Sequence, residues 1–200
     1  MKSEVDIYSD VDTVIARFAK GEFVVLGGDP FRGGDIDLVT SAALITPEKI
    51  NFLATKARGL ICLGMESEAA SRLGIMPVNP GDYRQSGRPF GTSFEASEGV
   101  TTGISAADRS KSIQAAIAEG ANASSIVKPG HVFPLFATAK PDETERRAAD
   151  AAVELARRAG EVPFAVLCSV LLADGEPARM SDMPEFMEEF GIVAGHISQL

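Results

Sequence analysis

Apolar positions along this chain follow two periods, and their alternation is the main structural signal. Residues 11–20, 47–58, 66–73, 106–119, 142–159 and 183–190 carry the amphipathic pattern of helices. Between them, residues 23–26, 37–41, 60–63, 132–137, 164–172 and 192–197 are short apolar, partly β-branched runs, which predict strands. The polar punctuation agrees with the periods. Asp10 or Asp12 can cap the first helix and Gly21 stops it. Thr46 is a natural N-cap ahead of Pro47. Ser105 with Asp108 three residues on resembles a capping box, and Gly120 ends that helix. Asp142 with Glu145 marks the start of the longest helix.

Helices that alternate with strands predict an α/β (α+β) fold: one compact domain over residues 1–200, a mixed sheet flanked by helices. Residues 76–89 carry Pro, Gly, Asn and Asp without periodicity, so a mobile surface loop with the character of a lid is expected there. No internal repeat is present.

Composition narrows the function classes. The chain is 45% hydrophobic and 24% charged over 200 residues, as in ordinary globular domains. No apolar run reaches roughly 18 residues, so no membrane span is expected. The polar, acidic first ten residues lack the form of a signal peptide, so a cytoplasmic location is expected. There Cys62 and Cys168, both in apolar runs, are expected to stay unpaired. A net charge of -9 argues against nucleic acid as a partner. It leaves room for an anionic metabolite, which a few local donors can hold.

Three segments carry candidate chemistry. Gly27-Gly28-Asp29-Pro30-Phe31-Arg32-Gly33-Gly34-Asp35 is a glycine-rich loop that leads into Asp37. Carboxylates beside one arginine suit a divalent metal with a phosphorylated or polyhydroxy substrate, although a solvated turn has the same composition. Thr101, Thr102, Ser105, Asp108 and Arg109 surround a helix N-terminus, where free N–H groups favour an anion; an ordinary capped helix fits equally well. Lys128-Pro129-Gly130-His131 fixes a histidine at a strand start, where it can act as ligand or base. His196, in the last strand, reads as core. Cys62 reads as core unless a charge activates it.

Together these segments resemble the 3,4-dihydroxy-2-butanone 4-phosphate synthase family. The resemblance rests on the helix and cysteine strand from Thr46 to Leu63, the threonine-rich turn from Gly99 to Arg109, and the histidine turn from Pro129 to Leu135, in order and at fitting spacing. It implies a lyase of riboflavin biosynthesis that converts D-ribulose 5-phosphate into formate and a four-carbon ketone phosphate. It also implies Mg²⁺, with Mn²⁺ as a substitute, and a homodimer with shared active sites. By resemblance His131 and Asp35 are metal ligands. Arg32, Asp35, Asp37, Cys62 and Asp150 form the catalytic set. Thr101, Thr102, Ser105, Asp108, Arg109 and Lys128 cradle the phosphate.

The chain departs from the family at the chemistry. Gly33 stands at the position of a metal-binding glutamate, and Pro30 and Phe31 where two more acids are usual. Arg147-Ala148-Ala149-Asp150 replaces a Gly-His-Thr-Glu motif, and Ser169 stands where a glutamate follows the cysteine. Scaffold segments match while these positions do not. A weakened or altered metal site is therefore expected. Two alternatives follow: a diverged homologue acting on a related sugar phosphate, or a non-catalytic paralogue that binds a ligand or dimerises.

Overall fold

The computed structural model describes residues 7–79, 88–139, 141–142 and 145–200. Its centre is a seven-stranded mixed sheet in the order β4-β5-β3-β6-β2-β1-β7. The strands are β1 (Val24–Gly27), β2 (Asp37–Ser41), β3 (Arg58–Glu66), β4 (Phe94–Ala96), β5 (Ile126–Ala137), β6 (Phe164–Val170) and β7 (Val193–His196). The helices are α1 (Val11–Ala19), α2 (Pro47–Phe52), α3 (Ser67–Arg72), α4 (Ala106–Ile117), α5 (Ala148–Arg158) and α6 (Pro184–Phe190). Strands β1–β7 and β3–β5 pair in parallel, and the other neighbours are antiparallel.

Both faces of the sheet are covered, which explains why β1 and β2 are buried along their whole length. Side chains alternate between two cores as the pleat requires. Val25, Leu38 and Cys168 join Ile50, Leu53 and Ile113 on the α2/α4 face. Leu26, Val39 and Leu167 join Val14, Phe18 and Leu155 on the α1/α5 face. The predicted caps hold the helices: Asp10 accepts from Thr13 N, Thr46 from Lys49 N and Ser105 from Asp108 N.

Several expectations are corrected. The helix after Pro47 widens into a π-helix at Leu53–Ala57, and Arg58 leaves it with φ of 68°. Strand β5 starts at Ile126, six residues before the predicted start, because its first half pairs with β4, a three-residue strand with no sequence signal. The long helix starts at Ala148, not at Asp142. Its first turn is closed by carboxylates from within and from afar: Asp150 accepts from Arg147 N at 2.8 Å and Asp29 from Ala148 N at 2.9 Å. His196 is half-buried, edge-on to Tyr8, and lines a cavity of about 430 Å³ rather than the core. Most of the expected lid, residues 80–87, lies outside the described residues. None of the described helices is long and apolar enough to cross a membrane.

One glycine is required by the strand order. The β3–β6 register shifts between Arg58 and Ile61, and a Cβ on Gly59 would overlap the Ser169 carbonyl oxygen. Only a residue without a side chain lets β3 approach β6 here.

Candidate active site

Strand register places two polar residues face to face at the end of the sheet: Asp37 on β2 lies opposite Ser169 on β6. Asp37 is fully buried, which a carboxylate tolerates only when paired. Two arginines pair with it. Arg32, from the glycine-rich loop, bonds Asp37 Oδ2 through Nη1, and Arg88 Nη2 donates to Oδ1 at 2.5 Å. Ser169 Oγ donates to Asp37 Oδ1 at 3.1 Å. It also accepts from Arg88 Nη2 at 2.5 Å and from Arg32 Nη2 at 3.2 Å. Guanidinium groups gathered around a buried carboxylate and a serine at the strand ends suit an anionic ligand.

Cys62, on β3, lies 3.8 Å from Arg88 Nη1. Burial pushes its thiol up to about 12, and nearby Asp37 adds to the rise, against the pull of Arg88 and Arg32. Cys168 is raised to about 12 as well, again chiefly by burial. Cys62 is thus a neutral lining group and no nucleophile at neutral pH. Relative to the ordinary 9.0, thiolate is about a thousandfold scarcer. Native protein at pH 8 is expected to react with iodoacetamide at Cys62 at least that much more slowly than urea-unfolded protein. Comparable rates in the two states would remove the buried-thiol assignment. Raised thiol pKa values favour the folded state fully below pH 9. This contribution is lost as pH rises from 9 towards 12.

A second corner adjoins through the same loop. Asp29 is buried and accepts from Phe31 N and from Ala148 N, both at 2.9 Å. The Arg147 guanidinium lies 4.4 Å over the Phe31 ring. Asp150 accepts from Thr138 N at 2.7 Å and from Arg147 N. Burial raises the Asp150 pKa against the pull of those two backbone donors, with Asp29 adding to the rise.

Of the expected residues, the structure brings Arg32, Asp37 and Cys62 together, with Asp35 beside Arg32. Asp35 pairs with Arg179 and, at 3.5 Å, with Arg32. His131 Nδ1 meets Glu95 Oε2 at 3.0 Å, on a different pair of strands. Among the described residues no group of three His, Cys, Asp or Glu is placed to hold an ion. The threonine-rich turn is tied internally. Asp108 accepts from Thr101 N, Thr101 Oγ1 and Gly103 N, and Ser105 Oγ from Asp108 N. Thr102 is exposed, and Arg109 Nε is buried without a hydrogen-bond partner. Lys128 Nζ is held by the carbonyls of Gly74 at 2.6 Å and Leu73 at 3.4 Å. Sequence reasoning missed Arg88 and Glu95. Arg88 sits in an aperiodic stretch where nothing marks one arginine above another.

Comparison with known proteins agrees with this architecture. The family model described as 3,4-dihydroxy-2-butanone 4-phosphate synthase matches residues 12–200. A 3,4-dihydroxy-2-butanone 4-phosphate synthase of Pseudomonas aeruginosa is 43% identical over 196 residues, which cover 95% of this chain and 52% of that protein. The chain spans about half the length of this and other curated relatives. Among solved structures, a two-domain synthase of this name from A. baumannii superposes with a TM-score of 0.89 at 37% identity, over 96% of this chain and 56% of that one. A synthase in complex with two magnesium ions has the same TM-score at 30% identity, over 96% and 94% of the respective chains.

Proposed function

The chain belongs to the 3,4-dihydroxy-2-butanone 4-phosphate synthase family, and from that premise we propose that it converts D-ribulose 5-phosphate into formate and a four-carbon ketone phosphate for riboflavin biosynthesis. The observation that supports this reading in the chain itself is the Arg32–Asp37–Arg88–Ser169 cluster at the strand ends. Its two guanidinium groups receive the anionic substrate, and buried Asp37 holds both in place. Enolisation of a ketose needs a base near the carbon that loses its proton. Asp150 is the candidate: burial makes it more basic than an ordinary aspartate. Cys62 lines the pocket as a neutral thiol. A homodimer with shared active sites is carried over as the expectation from the family resemblance.

A divalent ion, such as the magnesium held by the solved relative, would stabilise charge on adjacent substrate oxygens. The described residues do not fit one. Asp35 and Asp37 are paired with arginines, His131 meets a single carboxylate, and position 33 offers no side-chain donor. No step is therefore assigned to a metal. Gly33→Glu tests this directly. Nothing lies within 4 Å of a Cβ at Gly33, so the side chain has room, at a cost of about 1–2 kcal/mol for φ of 59°. Mn²⁺ titration followed by electron paramagnetic resonance is expected to show at least tenfold tighter binding in the variant. Unchanged affinity would mean that the loop faces no ion site.

The reaction itself is tested by proton NMR of the purified chain with ribulose 5-phosphate. One formate is expected for each substrate consumed. Folded protein that releases none, with or without Mg²⁺, overturns the proposal.

A further inference from the structure

We infer that Glu95 is a positioning residue for the proposed reaction, on which this reading rests: its carboxylate fixes the His131 ring with the proton on Nδ1 and the basic Nε2 turned outward. His131 Nδ1 lies 3.0 Å from Glu95 Oε2. An ionised carboxylate only accepts, so the hydrogen between them belongs to Nδ1 and the lone pair to Nε2. The His131 side chain is 41% exposed, and its Nε2 has no hydrogen-bond partner among the described residues. That nitrogen is open to a ligand. The contact is built into the fold. Gly130, the residue before His131, lies so close to β4 that a Cβ there would overlap the Phe94 carbonyl and Glu95 N. Gly103, at φ of 81°, packs on the contact itself: a Cβ there would come within 1.8 Å of Glu95 Oε2 and 2.6 Å of His131 Nδ1. The Asp108 carboxylate holds Gly103 N at 3.1 Å and so fixes the turn in place. Two backbone segments, β4 and the threonine-rich turn, therefore set where the carboxylate meets the ring.

Strand register brings the pair to the site. Cys62 on β3 is paired with Phe133 on β5, and Ile61 with Cys168 on β6. His131 precedes Phe133 by two residues, roughly 7 Å along the strand. Strand β3 runs parallel to β5 and antiparallel to β6, so His131 and Ser169 both lie toward the start of β3. This is the sheet end that carries Asp37 and Arg32. Conversion of a ketose phosphate into formate and a shorter ketone requires protons to leave the substrate and to return, and Asp150 is one carrier. A substrate proton taken up at Nε2 turns His131 into an imidazolium whose charge the Glu95 carboxylate offsets, and the proton returns from the same nitrogen. In the opposite tautomer Nε2 would already hold a hydrogen and could accept none. His196 provides the contrast: Ser198 N donates to its Nδ1 at 3.3 Å, so its proton sits on Nε2.

With two histidines in the chain, each serves as the control for the other. The experiment is long-range proton–nitrogen correlation NMR of the untagged full chain at about pH 9, where imidazole is ordinarily neutral. One ring protonated on Nδ1 is expected, lost in His131→Asn, and one protonated on Nε2, from His196. A free imidazole side chain favours the proton on Nε2, so Glu95→Ala is expected to convert His131 to that form. The same variant is expected to lose at least about tenfold in kcat with KM changed by less than about twofold, and Glu95→Asp to recover part of the loss. A wild-type His131 protonated on Nε2 overturns the inference without any variant having to fold. So does an unchanged tautomer in folded Glu95→Ala, as a merely structural role for Glu95 would give. A tautomer change that leaves kcat untouched overturns it as well. If wild-type protein releases no formate from ribulose 5-phosphate, the proposed reaction fails, and the positioning of His131 by Glu95 stands or falls on the two tautomers alone.

Discussion

Asp37→Ala is expected to destabilise the protein by about 3–5 kcal/mol and to abolish turnover. The reason is asymmetry. Asp37 is fully buried and neutralises two arginines whose side chains are only 7% and 14% exposed. Removing it takes away the carboxylate that these two largely buried, adjacent guanidinium groups share, which costs far more than the ion pairs contribute when intact. Urea unfolding measures the loss. A companion variant separates stability from chemistry. Replacing Arg32, Asp37 and Arg88 together by Met, Leu and Met removes every charge at once. It should regain most of the lost stability while remaining inactive. A single variant within about 1 kcal/mol of the wild type would mean that water reaches this cluster and that the pairing is a surface feature.

Gly59→Ala is expected to cost about 1–3 kcal/mol and to disable the site as well. The added methyl group would meet backbone, the Ser169 carbonyl, which cannot turn aside as a flexible side chain can. Relief requires β3 and β6 to separate at the bulge. That moves Ser169 away from Asp37 and Cys62 away from Arg88. The variant should therefore lose affinity for ribulose 5-phosphate out of proportion to its loss of stability, and parallel urea and titration curves would show it. A variant with wild-type affinity would place the bulge outside the binding machinery.

Much of the fold is legible in the sequence because local and global preferences agree. Residues 37–41 form β2 at the predicted bounds, since Asp37-Leu38-Val39-Thr40-Ser41 is flanked by a glycine loop and buried on both faces. Thr46 and Ser105 cap their helices as their side chains dictate. The failures have a common physical origin, in that partners distant in sequence decide them. Phe94-Glu95-Ala96 is a strand only because β5 lies beside it, and Lys128-Pro129-Gly130 is extended for the same reason. The capping-box reading of Asp108 was half right: Ser105 receives the Asp108 N–H, but the Asp108 carboxylate turns back to Thr101 and Gly103. Arg32 and Asp37 stand out in the glycine-rich loop, whereas Cys62 reads as core by pattern and joins the expected set only through the family resemblance. Arg88 carries no signal, because its importance comes from the side chain of a residue 51 positions away.

The pairing of Asp37 with Ser169 has a kinetic consequence. These residues are 132 positions apart, and β6 lies between β2 and β3, strands that precede it by about a hundred residues or more. The middle of the sheet thus closes late in the order of synthesis, with only the edge strand β7 still to come. A nascent chain lacking β6 holds β2 and β3 as open edges and leaves Arg32 and Asp37 without their serine. Such long-range closure slows folding and exposes apolar strand edges while it is pending. A bound sugar phosphate bridging the two arginines would favour the closed sheet over these partly assembled states by mass action. Refolding yield, as well as catalysis, should then depend on the concentration of the substrate.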